Sequence, residues 1–257
     1  MTERRTDHPA VNYPALYQEM QRLKDRHWWF KVHYRAILDI IRPYLKPGMV
    51  VLDLGSAGGW STDGLPSDTT RILFDIRHLA LKINRSRVFA RVCGDAHNVP
   101  LKDGICDLVI CEGLLHQSEA EDPRRIMREA VRLVRAGGLV LVAEPAFSCL
   151  FGRHDELFGG CRRFTTGELA ALFSGQPVQF IRKTYLHLFA FLHLWIVRKT
   201  LNREATDLSL ENPVTNTVNL WLGTMERWLT RRVSMPFGVT AALLVRRRQE
   251  ESREGAQ

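Results

Sequence analysis

The 257 residues include only five cysteines, Cys93, Cys106, Cys111, Cys149 and Cys161, with no CxxC pair and no His/Cys cluster at metal-ligand spacing. An odd, scattered set excludes a disulfide framework and a zinc site, so no metal is expected and the thiols read as reduced in a cytoplasmic protein. No run reaches the roughly 18–20 apolar residues of a membrane span. The opening MTERRTDHPAVNYP has no apolar core of signal-peptide length. Internal repeats are absent, and 45% hydrophobic with 25% charged residues excludes a disordered or fibrous chain. Acid is in deficit: 28 Asp and Glu face 36 Lys and Arg, a net charge of +8. From Arg182 onward twelve basic residues stand against seven acidic ones, so the last third either meets something anionic or keeps the protein soluble.

What is present centres on Val50 to Trp60, VVLDLGSAGGW. A β-branched apolar run closes with Asp53 where Gly55, Gly58 and Gly59 begin, which predicts a buried strand ending in a ligand-binding turn. A nicotinamide turn spaced GxGxxG would need glycine at 57 and 60, where Ala57 and Trp60 stand. Further on, Arg71 to Asp75 is a second apolar run ending in an acid. Asp75 lies about 20 residues past the turn, where a carboxylate can accept the hydroxyls of a ribose or cap the next helix. A third strand is expected over 87–92 and a fourth over 106–111, with Asp107 in a structural role. Asp122-Pro123 opens a helix with the buried stripe Ile126, Met127, Ala130, Leu133 and Val134, and a fifth strand spans 139–143. Strands alternating with helices predict an α/β, doubly wound, mostly parallel sheet.

Asp53-Leu-Gly55-Ser56-Ala57-Gly-Gly59 resembles the first motif of class I S-adenosylmethionine-dependent methyltransferases, (D/E)xGxGxG, with alanine at the middle glycine. CDLVIC resembles the family's FDxV strand, and RAGGLVLVAEP its RPGGxLxxxEP element. The resemblance implies a Rossmann-like sheet with an antiparallel C-terminal edge strand, here over 237–245, and S-adenosylmethionine as cofactor. It also implies cofactor contacts from Asp53, Gly55, Ser56, Ala57, Gly59, Asp75, Ile76, Asp95, Ala96 and Glu112. Asp95 would meet the adenine amine, and the amide of Ala96 a ring nitrogen. His116, beyond the fourth strand, is a candidate for proton removal from an acceptor or a structural histidine.

Outside the core, the spacing predicts helices around Tyr13 to Met20 and Tyr34 to Ile41. Between them lies His27-Trp28-Trp29-Phe30, whose aromatics cannot all share one helix face. Methyltransferases similar to this chain often carry such an HWWF segment, which implies a cap over the cofactor mouth. Trp29, His154, Arg162 and Arg163 are candidate substrate contacts, with His154 a second catalytic candidate. The arginines could instead tie their loop to core acids. Thr165-Thr-Gly-Glu168 is a capping box. Tyr185 to Val197, apolar but for two histidines and flanked by basic residues, suits a lid, a dimer contact or a helix on a membrane surface. Val218, Trp221, Leu222, Met225, Trp228 and Leu229 predict another amphipathic helix.

The expected organisation is a helical cap over 1–46, a methyltransferase core over 47–183 with 236–248, a helical insertion over 184–235 and a disordered tail over 249–257. The expected function is methyl transfer to an oxygen or nitrogen of a small-molecule or lipid-linked sugar acceptor, the latter by loose similarity to methyltransferases of surface-polysaccharide and glycolipid assembly. The alternatives are an RNA methyltransferase and a non-catalytic, cofactor-binding assembly subunit. Nucleic acid is disfavoured because the fourth strand ends in CEGLLH, not (D/N)PP(Y/F). The oligomeric state is not legible.

Overall fold

The computed structural model describes residues 11–83, 90–191 and 212–249. The expected tails, residues 87–89 of the third strand and 192–197 of the apolar segment lie outside these. Seven strands form one sheet: β1 (Val50–Leu54), β2 (Thr70–Asp75), β3 (Ala90–Cys93), β4 (Cys106–Glu112), β5 (Val134–Pro145), β6 (Val178–Leu186) and β7 (Thr240–Arg247), in the order β3-β2-β1-β4-β5-β7-β6. β1 pairs in parallel with β2 and β4, and β4 with β5. β7 runs antiparallel to both its neighbours, β5 and β6. The antiparallel C-terminal strand is therefore present, with β6 as an additional strand outside it. Strand order reverses between β1 and β4, so their carboxyl ends flank the crevice where doubly wound sheets bind ligands.

Both faces of the sheet are covered, which is why its strands read as continuous apolar runs. α4 (Pro123–Leu133) buries Ile126, Met127, Ala130 and Leu133 on one face, and α2 (Trp28–Ile41) buries Ile37, Ile40 and Ile41 on the other. Asp122 caps α4 by accepting from the Arg125 amide, while Val134 already belongs to β5. Asp107 serves the frame, accepting from the Val50 amide and pairing with Arg135. α1 (Tyr13–Leu23) and α2 cross the carboxyl edge, α3 (His78–Ile83) follows β2, and the short α5 (Arg153–Leu157) and α6 (Thr166–Ala171) follow β5. Thr165 and Glu168 form the expected capping box.

Two segments depart from expectation. The apolar run from Tyr185 begins as strand, since β6 extends to Leu186 and pairs through Thr240; the edge strand thus overruns the boundary set at 183. α7 (Pro213–Thr230) is amphipathic, but it buries Gly223, Glu226, Arg227 and Thr230 and exposes Val218, Trp221, Met225 and Trp228. Its buried side is fixed by Asp39 of α2, which pairs with Arg227 at 2.7 Å and Arg231 at 2.8 Å. A Cβ on Gly223 would lie 2.8 Å from Val32, so the helices meet too closely there for a side chain. No helix among the described residues is long and apolar enough to cross a membrane.

Candidate active site

A cavity of about 1000 Å3 opens at the carboxyl edge of the sheet, beneath α1 and α2. Its floor is the turn after β1. Gly55 takes φ +78, and a Cβ there would come within 2.9 Å of Leu114, so only glycine fits. Ala57, at the family's middle glycine, is itself left-handed at φ 44. The turn is tied to β2: the Gly55 and Ser56 amides donate to the Phe74 carbonyl at 2.9 Å, and the Ala57 amide to Asp75 Oδ2 at 2.8 Å.

Asp75 lines the cavity and also ties the chain ahead of the next helix. Its Oδ1 accepts from the Arg77 amide ahead of α3, while the carboxylate lines the cavity with Ile76. Burial pushes its pKa up, against the opposing effect of the two amide bonds. Asp95 and Ala96 line the next part of the wall, and Asp95 Oδ1 is held by the His97 amide (2.9 Å) and ring (2.6 Å). Ser56 also lines the cavity, and its hydroxyl is buried without a hydrogen-bond partner among the described residues. Asp53 differs from these. It lies under the turn, 1% exposed and not among the cavity-lining residues, with Thr62 Oγ1 3.5 Å away, and burial drives its pKa well up.

The cradle suits S-adenosylmethionine. Asp75 at the end of β2 and Asp95 two residues past β3 would supply acceptors for ribose hydroxyls and an adenine amine. The turn permits close backbone approach, and Ser56 offers an unused hydroxyl to the cofactor's amino-acid end.

Beyond the cradle, Glu112 at the end of β4 accepts from His33 Nε2 at 2.9 Å and from Ser61 Oγ at 2.9 Å. Burial would raise its pKa, but these bonds outweigh it and hold the carboxyl below its ordinary range. His116 is anchored by Glu144, a fully buried acid that accepts from the amides of Leu114, Leu115 and His116 and lies 2.9 Å from His116 Nδ1. The other ring nitrogen meets the Gln117 amide at 2.9 Å, so both positions are engaged. His154 lines the cavity with its ring 4.5 Å from Phe158. Arg163 pairs with buried Asp155 at 2.9 Å and donates to the Ala146 carbonyl, fastening the loop after β5. Arg162 donates to Cys161 Sγ and does not line the cavity.

All four residues of the HWWF segment line the cavity. His27 also caps α2, accepting from the Trp29 amide, and Phe30 is the most deeply buried of the three aromatics that follow it. Sequence reading missed His33, Glu144 and the cluster that fastens α1, in which Arg77 stacks 3.7 Å over the Tyr13 ring and pairs with Glu119. His33 had one legible signal, its position four residues after Trp29 on the same helix face. Glu144 had one as well, as the acid of the RAGGLVLVAEP element, and Glu119 had none.

Comparison with known proteins agrees with this geometry. Residues 52–142 match the family model described as a methyltransferase domain. A tRNA (carboxymethyluridine(34)-5-O)-methyltransferase of Arabidopsis thaliana is 33% identical over 99 residues, which are 38% of this chain and 24% of that protein. The chain thus spans about a quarter of that relative's length. Among solved structures, the methyltransferase in a Haloferax volcanii complex with the Trm112 methyltransferase activator superposes with a TM-score of 0.60 at 17% identity, covering 92% of this chain and 96% of that one. A Thermotoga maritima S-adenosylmethionine-dependent methyltransferase, described as a possible histamine N-methyltransferase, gives 0.54 at 22% identity, covering 91% and 100%. The turn and the acids Asp75 and Asp95 thus lie within the stretch, residues 52–142, that matches a methyltransferase domain, and the chain shares its fold with these solved methyltransferases.

Proposed function

We propose that the protein transfers the methyl group of S-adenosylmethionine to an oxygen or nitrogen of a small-molecule or lipid-linked sugar acceptor. One observation carries the reading: the cofactor cradle and a second region bounded by Trp29, Glu112 and His154 are parts of one cavity. Its volume of about 1000 Å3 is at the upper end for small-molecule sites, room for a cofactor and an acceptor together. Asp75, Asp95, Ala96, Gly55 and Ser56 hold the cofactor, and the walls align the acceptor and exclude water, where most of the rate gain of a displacement arises. Calorimetry tests the cradle. Asp75→Ala is expected to weaken S-adenosylmethionine by about 2–3 kcal/mol, roughly 30- to 150-fold in Kd, through lost charged hydrogen bonds. Equal binding by the two proteins would refute the assignment.

A second reading, methylation of RNA, is favoured by the name of the Arabidopsis relative and by the +8 charge. It requires methyl transfer from tritiated cofactor to bulk tRNA, with binding that falls steeply as salt rises. The absence of transfer to tRNA leaves the small-molecule reading.

A further inference from the structure

Three side chains from distant parts of the chain meet on one wall of the cavity: His33 in α2, Glu112 at the end of β4, and His187, the residue after β6. His33 Nε2 donates to Glu112 Oε1 at 2.9 Å, and His33 Nδ1 lies 3.0 Å from His187 Nε2. The indole of Trp29 stacks on His33, with ring centres 5.4 Å apart and planes 13° apart, and touches His187 at 4.5 Å, so the pair is shielded from water. His187 takes φ +65, a conformation that residues with a Cβ rarely adopt. Glu226 of α7 holds this turn, accepting from the amides of Leu188 at 2.8 Å and Phe189 at 3.4 Å. Strain kept in place by its surroundings is a mark of functional sites. The two ends of the chain differ: the Glu112 side chain is 22% exposed, while His187 is 3% exposed.

We propose that Glu112 is the general base of methyl transfer, that His33 and His187 are positioning residues behind it, and that the methylated group is a hydroxyl on a flat, apolar molecule. The proposal rests on the reading that the protein transfers a methyl group. Glu112 keeps a second lone pair on each oxygen after accepting from His33 and Ser61, and His33, itself fixed by His187, turns the carboxylate toward the cavity. A neutral amine attacks with its own lone pair, whereas a hydroxyl is a weak nucleophile until its proton leaves. As the hydroxyl oxygen forms its bond to the methyl carbon, the carbon–sulfur bond breaks with its electron pair on sulfur. The O–H electrons stay on oxygen, and the proton passes to Glu112 and then to water. Trp28, Trp29, Phe158 and Leu222 on the walls favour a ring or other flat body as the carrier of that hydroxyl.

The test uses 4-methoxyphenol, 4-chlorophenol and 4-nitrophenol at pH 8, with 4-chloroaniline as the amine control, and reads methylated product by mass spectrometry. Glu112→Gln is expected to slow methylation of 4-methoxyphenol about 100-fold or more, and that of 4-nitrophenol, already an anion, less than tenfold. His33→Asn and His187→Asn should show the same gradation at about a tenth of the size, which a merely structural loss would not produce. Rates of Glu112→Gln are compared at saturating S-adenosylmethionine, which separates a lost cofactor contact of Glu112 from a lost base. In 15N-histidine NMR, a low-field, exchange-protected ring proton should be present in wild type, shifted in Glu112→Gln and absent in His33→Asn. Equal slowing of all three phenols or methylation of the aniline alone would overturn the proposal. So would wild-type protein that binds the cofactor yet turns over no phenol. Failure of wild-type protein to bind S-adenosylmethionine would overturn the methyltransferase reading beneath it.

Discussion

At the scale of single residues, the site is a set of charges held away from their usual proton affinities. His187 is fully buried, and burial with His33 beside it holds its pKa well below the ordinary value near 6.5. Glu112 is also shifted down. For His187 the unfolded chain binds a proton below pH 6.5 that the folded protein refuses, so stability falls as pH drops through that value. Glu112 acts in the same direction at lower pH, as its native hydrogen bonds are lost on protonation. Urea midpoints are therefore expected to fall between pH 7.5 and 5.5, and His187→Asn should reduce that fall; an unchanged pH dependence would contradict the assignment. The strand-end acids were legible because a strand and its terminal acid are local in sequence. The pairing of His33 with His187 was not, because 154 residues separate them and no local pattern links the two positions.

At the scale of elements, α7 shows where periodicity misleads. Its apolar residues recur at helical spacing, yet Trp221 is 62% exposed and Arg227 is buried against Asp39. Periodicity identified the helix but not its inward face, because an ion pair and the close approach at Gly223 fix that face. Removing one partner of a buried pair leaves an uncompensated charge, at a cost of about 3–5 kcal/mol. Asp39→Ala should therefore lower stability by about 3 kcal/mol, while Trp221→Ser should stay within about 0.5 kcal/mol. Chemical denaturation checks both, and the reverse ranking would mean that α7 packs through its apolar side. The Tyr185 to Val197 run misled for a related reason: continuous apolar residues suit a helix and a buried strand alike, and only pairing with β7 places its start in the sheet.

At the scale of the whole molecule, the parallel part of the sheet was readable up to β5, since strands alternating with helices imply parallel pairing through right-handed crossovers. β6 was missed because Val178 to Leu186 mixes charged and apolar residues, as an edge strand does. The structural result is that β7 joins β5 to β6 along its full length. Removing residues from 236 onward would open the edges of both strands at once. Such a protein is expected to be insoluble or to bind a hydrophobic dye strongly, and a soluble, cofactor-binding truncation would show that the sheet is complete without β7.

The same placement sets a schedule for synthesis. The turn after β1 and the strands that flank it are complete by residue 112 and β5 by residue 145, but β7 does not follow until residue 240. At about 5–20 residues per second, several seconds pass with β5 finished and one side unpaired. During that interval the nascent chain has most of its cofactor floor but neither its last strand nor α7, whose Glu226 holds the His187 turn. The turn at His187, on the cavity wall, is thus fixed only late, and a ribosome stalled before α7 would carry a chain with most of the cavity lining made and that turn unheld.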